Sequence, residues 1–68
     1  MSTVDHAGRD QHELLGHQVR DIASRGEGEL MAVTYEIYGD GRRVRVAHIR
    51  SESGAEWSTA VANIQANG

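Results

Sequence analysis

The chain has 68 residues, 38% of them hydrophobic and 25% charged, with ten acidic against seven basic side chains and a net charge of -3. That length fills one small core and leaves nothing for a second, the charge balance argues against a general binder of polyanions, and no stretch approaches the roughly 18 consecutive apolar residues of a membrane-spanning helix. The absence of cysteine removes disulfide and thiolate sites, and because every basic residue is Arg (9, 20, 25, 42, 43, 45 and 50), Schiff-base, catalytic-amine and P-loop lysine chemistry fall as well. Phe and Pro are also missing, so a thin core of Leu, Ile, Val, Met and Ala has Tyr35, Tyr38 and Trp57 as its only large rings.

Residues 1–12, MSTVDHAGRDQH, carry one isolated Val near the start and no period of 2 or 3.6, which predicts a disordered tail ahead of a domain over 13–66. Neither an apolar run nor a basic start leading into one is present in the first ten residues, so a cytoplasmic location is expected. Leu14-Leu15 is an anchor that packs over a core end. Val19 and Asp21 alternate with Arg20 and Ile22 in a short strand, and Ala23-Ser24-Arg25-Gly26 turns, with Gly26 free to take positive φ.

Glu27 to Tyr38 is the longest regular stretch, a strand with Met31, Val33, Tyr35 and Ile37 on one face and Leu30, Ala32, Thr34, Glu36 and Tyr38 on the other. Gly39-Asp40-Gly41 follows, and its Asp-Gly pair predicts a two-residue type I′ hairpin. That loop sets Ile37 against Val44 and Tyr35 against Val46, with Glu36 facing Arg45 and Tyr38 facing Arg43; a one-residue slip would destroy all four pairs. Carried further, it sets Val33 against His48 where Ile49 is the better partner, which predicts a bulge near Ala47 or His48.

Ser51-Glu52-Ser53-Gly54 is a second tight connection, Ala55 to Thr59 a short strand with the single Trp, and Thr59 to Asn63 a 3₁₀ turn with Asn63 as a left-handed stop before a last strand from Ile64. Five short strands with one 3₁₀ turn before the last give an all-β, SH3-like barrel. An OB barrel, the nearest competitor, needs a helix between its third and fourth strands, and Ser51–Gly54 leaves no room for it.

The frame Gly16-x-x-Val19-x-Asp21, Gly28-Glu29-Leu30-Met31, His48-Ile49-Arg50, Gly54-x-Glu56-Trp57 and Asn63-Ile64 resembles short actinobacterial proteins, common in streptomycetes. These share G-x-x-V-x-D, G-E-[LV]-M, I-R-P and G-x-E-W elements. The resemblance covers about Leu15 to Gln65 and implies a self-contained domain, with no activity attached. Ser51 stands where such proteins often have Pro, and the Tyr35–Arg42 stretch is longer than usual.

Candidate chemistry is sparse. His12-Glu13-Leu14-Leu15-Gly16-His17 looks like a zincin helix, but the second His falls at i+5 and Gly16 occupies the ligand position. A looser metal site from His6, His12 and His17 weighs less than adventitious binding by a mobile tail. Ser24, Ser51, Ser53 and Ser58 lie in turns or a strand, and only His48 is a folded-region base well away from the tail, so no triad assembles. The carboxylate pairs Glu27/Glu29 and Glu52/Glu56 read as solvated strand ends. No catalytic residue, metal or cofactor is expected.

The Arg-rich strand Arg42 to Arg50 carries four guanidinium groups and no acid. Arg42, Arg43, Arg45 and Arg50 could form a phosphate-contacting ridge with Tyr38 or Trp57 for stacking; an outer face neutralised by Glu36, Glu29 or Glu56 is the plainer reading and weighs more. Trp57 weighs more as a buried anchor than as an exposed ring; if exposed beside Leu30 and Ala32 it would mark a protein contact. Apolar burial in so small a core barely offsets the ordering cost, so self-association or docking on a larger protein is expected. The function that follows is a non-enzymatic protein-interaction module, a regulatory accessory, with Leu30, Tyr38 and Trp57 as contact residues. The alternative is a nucleic-acid-binding barrel.

Overall fold

In the computed structural model, which describes residues 4–67 and of residues 4–9 the backbone alone, the longest strand organises all the others. In chain order the strands are β1 (Val4–Asp10), β2 (Gln18–Asp21), β3 (Glu27–Tyr38), β4 (Arg43–Arg50), β5 (Glu56–Ala60) and β6 (Ile64–Ala66), with a 3₁₀ turn, Val61–Asn63, between the last two. Five of them form one antiparallel sheet in the order β5-β4-β3-β2-β6. The 3₁₀ turn carries the chain from one end of that order to the other, the all-β, SH3-like arrangement read from the sequence.

β1 lies off this path. Its backbone pairs with the far half of β3, from Val4 opposite Tyr38 to Asp10 opposite Val33, where residues 1–12 were expected to form a tail. The physical reason is the length of β3: β2 covers only Glu27–Glu29 of that edge, which leaves the polar backbone of Val33–Tyr38 to be satisfied by another strand.

A β-bulge decides what is buried. The β3–β4 register shifts between Leu30 and Ala32, making Met31 the extra residue, and two core side chains three apart, Leu30 and Val33, then face the same way. Both are fully buried with Val19, Ala47 and Ile49, while Met31 is 45% exposed. The face assignment that grouped Met31 with Val33 and set Leu30 on the opposite side is thereby corrected. The bulge sits on β3 at Met31 rather than near Ala47 or His48: Val33 pairs with Ala47 and Ala32 with His48, and the extra residue gives Ile49 Leu30 as its partner.

The first hairpin also differs from expectation. Tyr35 faces Arg45, Glu36 faces Val44 and Ile37 faces Arg43, one residue away from the register drawn from a two-residue loop, so the four expected pairs do not form. The Gly41 amide donates to the Tyr38 carbonyl and the Tyr38 amide to the Arg42 carbonyl, both at 2.9 Å, with Gly41 at φ +87. This is a three-residue loop closed by a glycine bulge. The second hairpin repeats the pattern: Gly54 (φ +92) donates to Ser51, and Ser51 to Ala55.

Two turn residues are corrected as well. In the β2–β3 turn Arg25, not Gly26, takes positive φ (66); Gly26 serves by its size, since a Cβ there would lie 2.8 Å from the Trp57 ring. Asn63 does not take the left-handed conformation; its carbonyl accepts from the Ile22 amide and its side chain donates to Thr59.

Candidate functional site

Two polar clusters stand out, one sealed and one at an open end of the sheet. The sealed one is built on Asp21, the last residue of β2, which is only 2% exposed. Its carboxylate accepts from the Ala23 amide (3.0 Å), Ser24 Oγ (2.7 Å), Trp57 Nε1 (3.1 Å) and Thr59 Oγ1 (3.2 Å). Thr59 in turn accepts from Asn63 Nδ2 at 3.1 Å. Burial pushes the Asp21 carboxyl up, but the hydrogen bonds from Ser24, Trp57, Ala23 and Thr59 outweigh it and hold the group below its ordinary value. An acceptor saturated by four donors and shielded from water has no proton to trade, so its work is to fasten β5 and the 3₁₀ turn to the β2 corner. Trp57 is part of that fastening, a structural anchor.

The open cluster occupies the hairpin end of β3 and β4, where β1 joins them. Tyr35 and Arg45 are cross-strand partners, and Asp10 comes from β1 to bind Arg45 Nη2 at 2.7 Å. The same Arg45 nitrogen donates to the Gln11 carbonyl at 3.3 Å. The Tyr35 hydroxyl first, then the Gln11 amide and Arg45, lowers the Asp10 pKa against the opposing effect of burial. Asp10 in turn raises the pKa of the Tyr35 hydroxyl. Arg43 lies over the Tyr35 ring, 4.9 Å from its centroid, and Arg42 over the Tyr38 ring at 5.1 Å. Arg42 Nε also meets Asp40 at 3.1 Å, and Tyr38 Oη donates to Glu36 at 3.3 Å.

The expected contact residues are therefore not brought together. Leu30 belongs to the core and is corrected as a surface candidate; Trp57 is half-buried against Asp21; Tyr38 alone stands at the hairpin end. The four arginines divide in the same way. Arg42, Arg43 and Arg45 gather at the corner, while Arg50 closes the other end of β4 in register with Glu29 and Glu56. Two of the corner arginines are paired with carboxylates of this chain, so among the described residues the four do not form a continuous cationic ridge.

The other candidates have ordinary roles. His48 Nε2 bonds Thr34 Oγ1 at 2.8 Å, and His12 Nδ1 accepts from the Leu14 amide at 3.0 Å. The His6 side chain lies outside the described residues. Among the described residues no three of His, Asp or Glu converge as a metal site would need. Asp21 and the Asp10–Tyr35–Arg45 cluster were missed in the sequence. An Asp three residues before a Ser is a local signal for the Asp21 turn; Asp10 and Tyr35 meet only through the β1–β3 pairing, which no local pattern announces.

Comparison of the chain with protein-family models, with curated proteins and with solved structures gives no match.

Proposed function

We propose that this chain is a non-enzymatic protein-interaction module, acting in the cytoplasm as a regulatory accessory, and that it makes contact through the hairpin end of β3 and β4. The observation that carries the reading is the stretch of sheet past the core. The buried residues end at Val33 and Val46, yet β3 continues to Tyr38 and β4 begins at Arg43. The longest dimension is 37 Å and the radius of gyration 12.2 Å, against about 11 Å for a compact chain of this length. Such a projection is maintained without contributing to the core.

Its surface chemistry suits a protein partner. Tyr and Arg are enriched at interfaces, and two Arg–Tyr stacks hold these long side chains in place before binding, which lowers the entropy lost on contact. The nucleic-acid alternative would need Arg42, Arg43, Arg45 and Arg50 free to follow a backbone, whereas Arg42 and Arg45 already hold Asp40 and Asp10.

A photo-crosslinking amino acid placed at Tyr38 tests this in the source cells, with Glu52 in the other hairpin as control. The expected result is a discrete protein adduct from position 38 and none from position 52. Nucleic-acid adducts, equal labelling from both sites or no adduct at all would contradict the proposal.

A further inference from the structure

Pairing along β4 stops short on one side. β5 accompanies β4 only from Arg50 to Val46, where Ala60 is the last partner, and the chain then departs into the 3₁₀ turn. On the other side β3 continues down to Arg43. In an antiparallel ladder successive residues turn their N–H and C=O to alternate sides. Because Tyr38 pairs in the bonded sense with the Gly41–Arg42 corner, Val44 and Val46 point their polar backbone at β3. Arg43, and the amide of Arg45, point theirs outward to where β5 would have continued. Among the described residues no other backbone group bonds them. Alongside runs a shallow groove lined by Arg43, Val44, Arg45, Ala60, Val61 and Ala62.

We propose that this slot receives an extended segment of a partner protein, three or four residues long, that adds to β4 as a strand where β5 leaves off. The segment carries a carboxylate opposite Arg43 and an apolar residue beside Val44. The inference rests on the interaction reading above and names the kind of partner. Main-chain bonds to Arg43 and Arg45 supply the pairing, and side-chain pockets on alternate faces supply the choice.

Charge selects this occupant over a second copy of the chain. Two β4 edges paired antiparallel about Val44 would set Arg43 opposite Arg45, which already holds Asp10, so a second copy brings Arg43 no carboxylate across the ladder. Arg43 is held over a tyrosine ring and among the described residues meets no carboxylate, so the attraction concentrates at one position. Edge arginines also discourage aggregation, but that role does not account for the groove left open between Arg43–Arg45 and Ala60–Ala62.

The test is a titration of the full chain, labelled with ¹⁵N, by the capped peptide Thr-Val-Glu-Val-Thr and by its Lys-for-Glu counterpart. The Glu peptide is expected to move the amides of residues 43–45 and 60–62, and the Lys peptide to leave them in place. Arg43→Gln, which keeps the strand, should weaken the Glu peptide roughly fivefold, the equivalent of one cross-strand charge pair. Arg43→Glu, if its spectrum stays dispersed, should exchange the preference for the Lys peptide. Equal binding of both peptides, shifts confined to other residues, or no shift at millimolar peptide would overturn the proposal. Any of these alongside a protein adduct at Tyr38 would remove the strand-addition mode and leave the interaction reading standing.

Discussion

Asp21 is the residue on which the most interactions converge, and its burial makes removal costly. Truncation in Asp21→Ala leaves the Trp57 and Thr59 donors near-buried without their acceptor, a loss of about 3 kcal/mol. For a domain this small that approaches the whole stability of about 5 kcal/mol. Urea denaturation should accordingly show Asp21→Ala still folded in water but with its midpoint lowered to roughly half or less, and an unchanged midpoint would refute the role. The pH dependence follows from the direction of the shift. A carboxyl whose folded pKa is depressed binds fewer protons folded than unfolded, so its stabilisation is complete above the unfolded value near 3.8 and is lost as pH falls through the lower folded one. The denaturation midpoint should hold steady from pH 7 to about 5 and decline below about 4, with Asp10 contributing in the same sense. In Asp21→Asn the acid decline should become shallower, because one of the two groups no longer titrates.

At the scale of elements, the two hairpins share a device that a sequence reading finds only in part. Strand limits, the lone 3₁₀ turn and the strand order were legible because apolar alternation and Gly-rich corners mark them. The register was not. Gly39-Asp40-Gly41 admits two frames one residue apart, and pairing apolar residues across the strands favours the wrong one. That rule presumes a buried face, whereas of the residues it paired near the corner only Val46 is buried, and the turn itself decides. Asp40 accepts from the Arg42 amide at 3.0 Å and from its guanidinium at 3.1 Å, which locks the three-residue loop. Placing a side chain at the left-handed Gly41 or Gly54 costs about 1–2 kcal/mol, although both positions have open space. Gly41→Ala and Gly54→Ala should each lower stability by that amount in urea titrations. A neutral result would mean that the loops are not closed by glycine bulges. The Met31 bulge was legible only as an expected irregularity: the Val33–His48 mismatch that suggested it belongs to the wrong register, Val33 in fact pairing with Ala47, and nothing local says which strand carries the extra residue.

For the whole molecule, a thin core under a long β3–β4 hairpin divides the chain into a part that folds and a part that projects. Cations were visible in the composition, but their disposition was not, since Arg45 is answered by Asp10 from a strand 25 residues before Tyr35. The result is an overall acidic chain whose corner arginines are oriented by tyrosines and carboxylates, beside a short run of unpartnered backbone. That run is the central claim, and amide hydrogen exchange along β4 in the free protein tests it most directly. Val44 and Val46, turned toward β3, should exchange slowly, and Arg43 and Arg45, turned outward, at least tenfold faster. Equal protection of all four amides would show the edge to be covered, and the proposed contact surface would not exist.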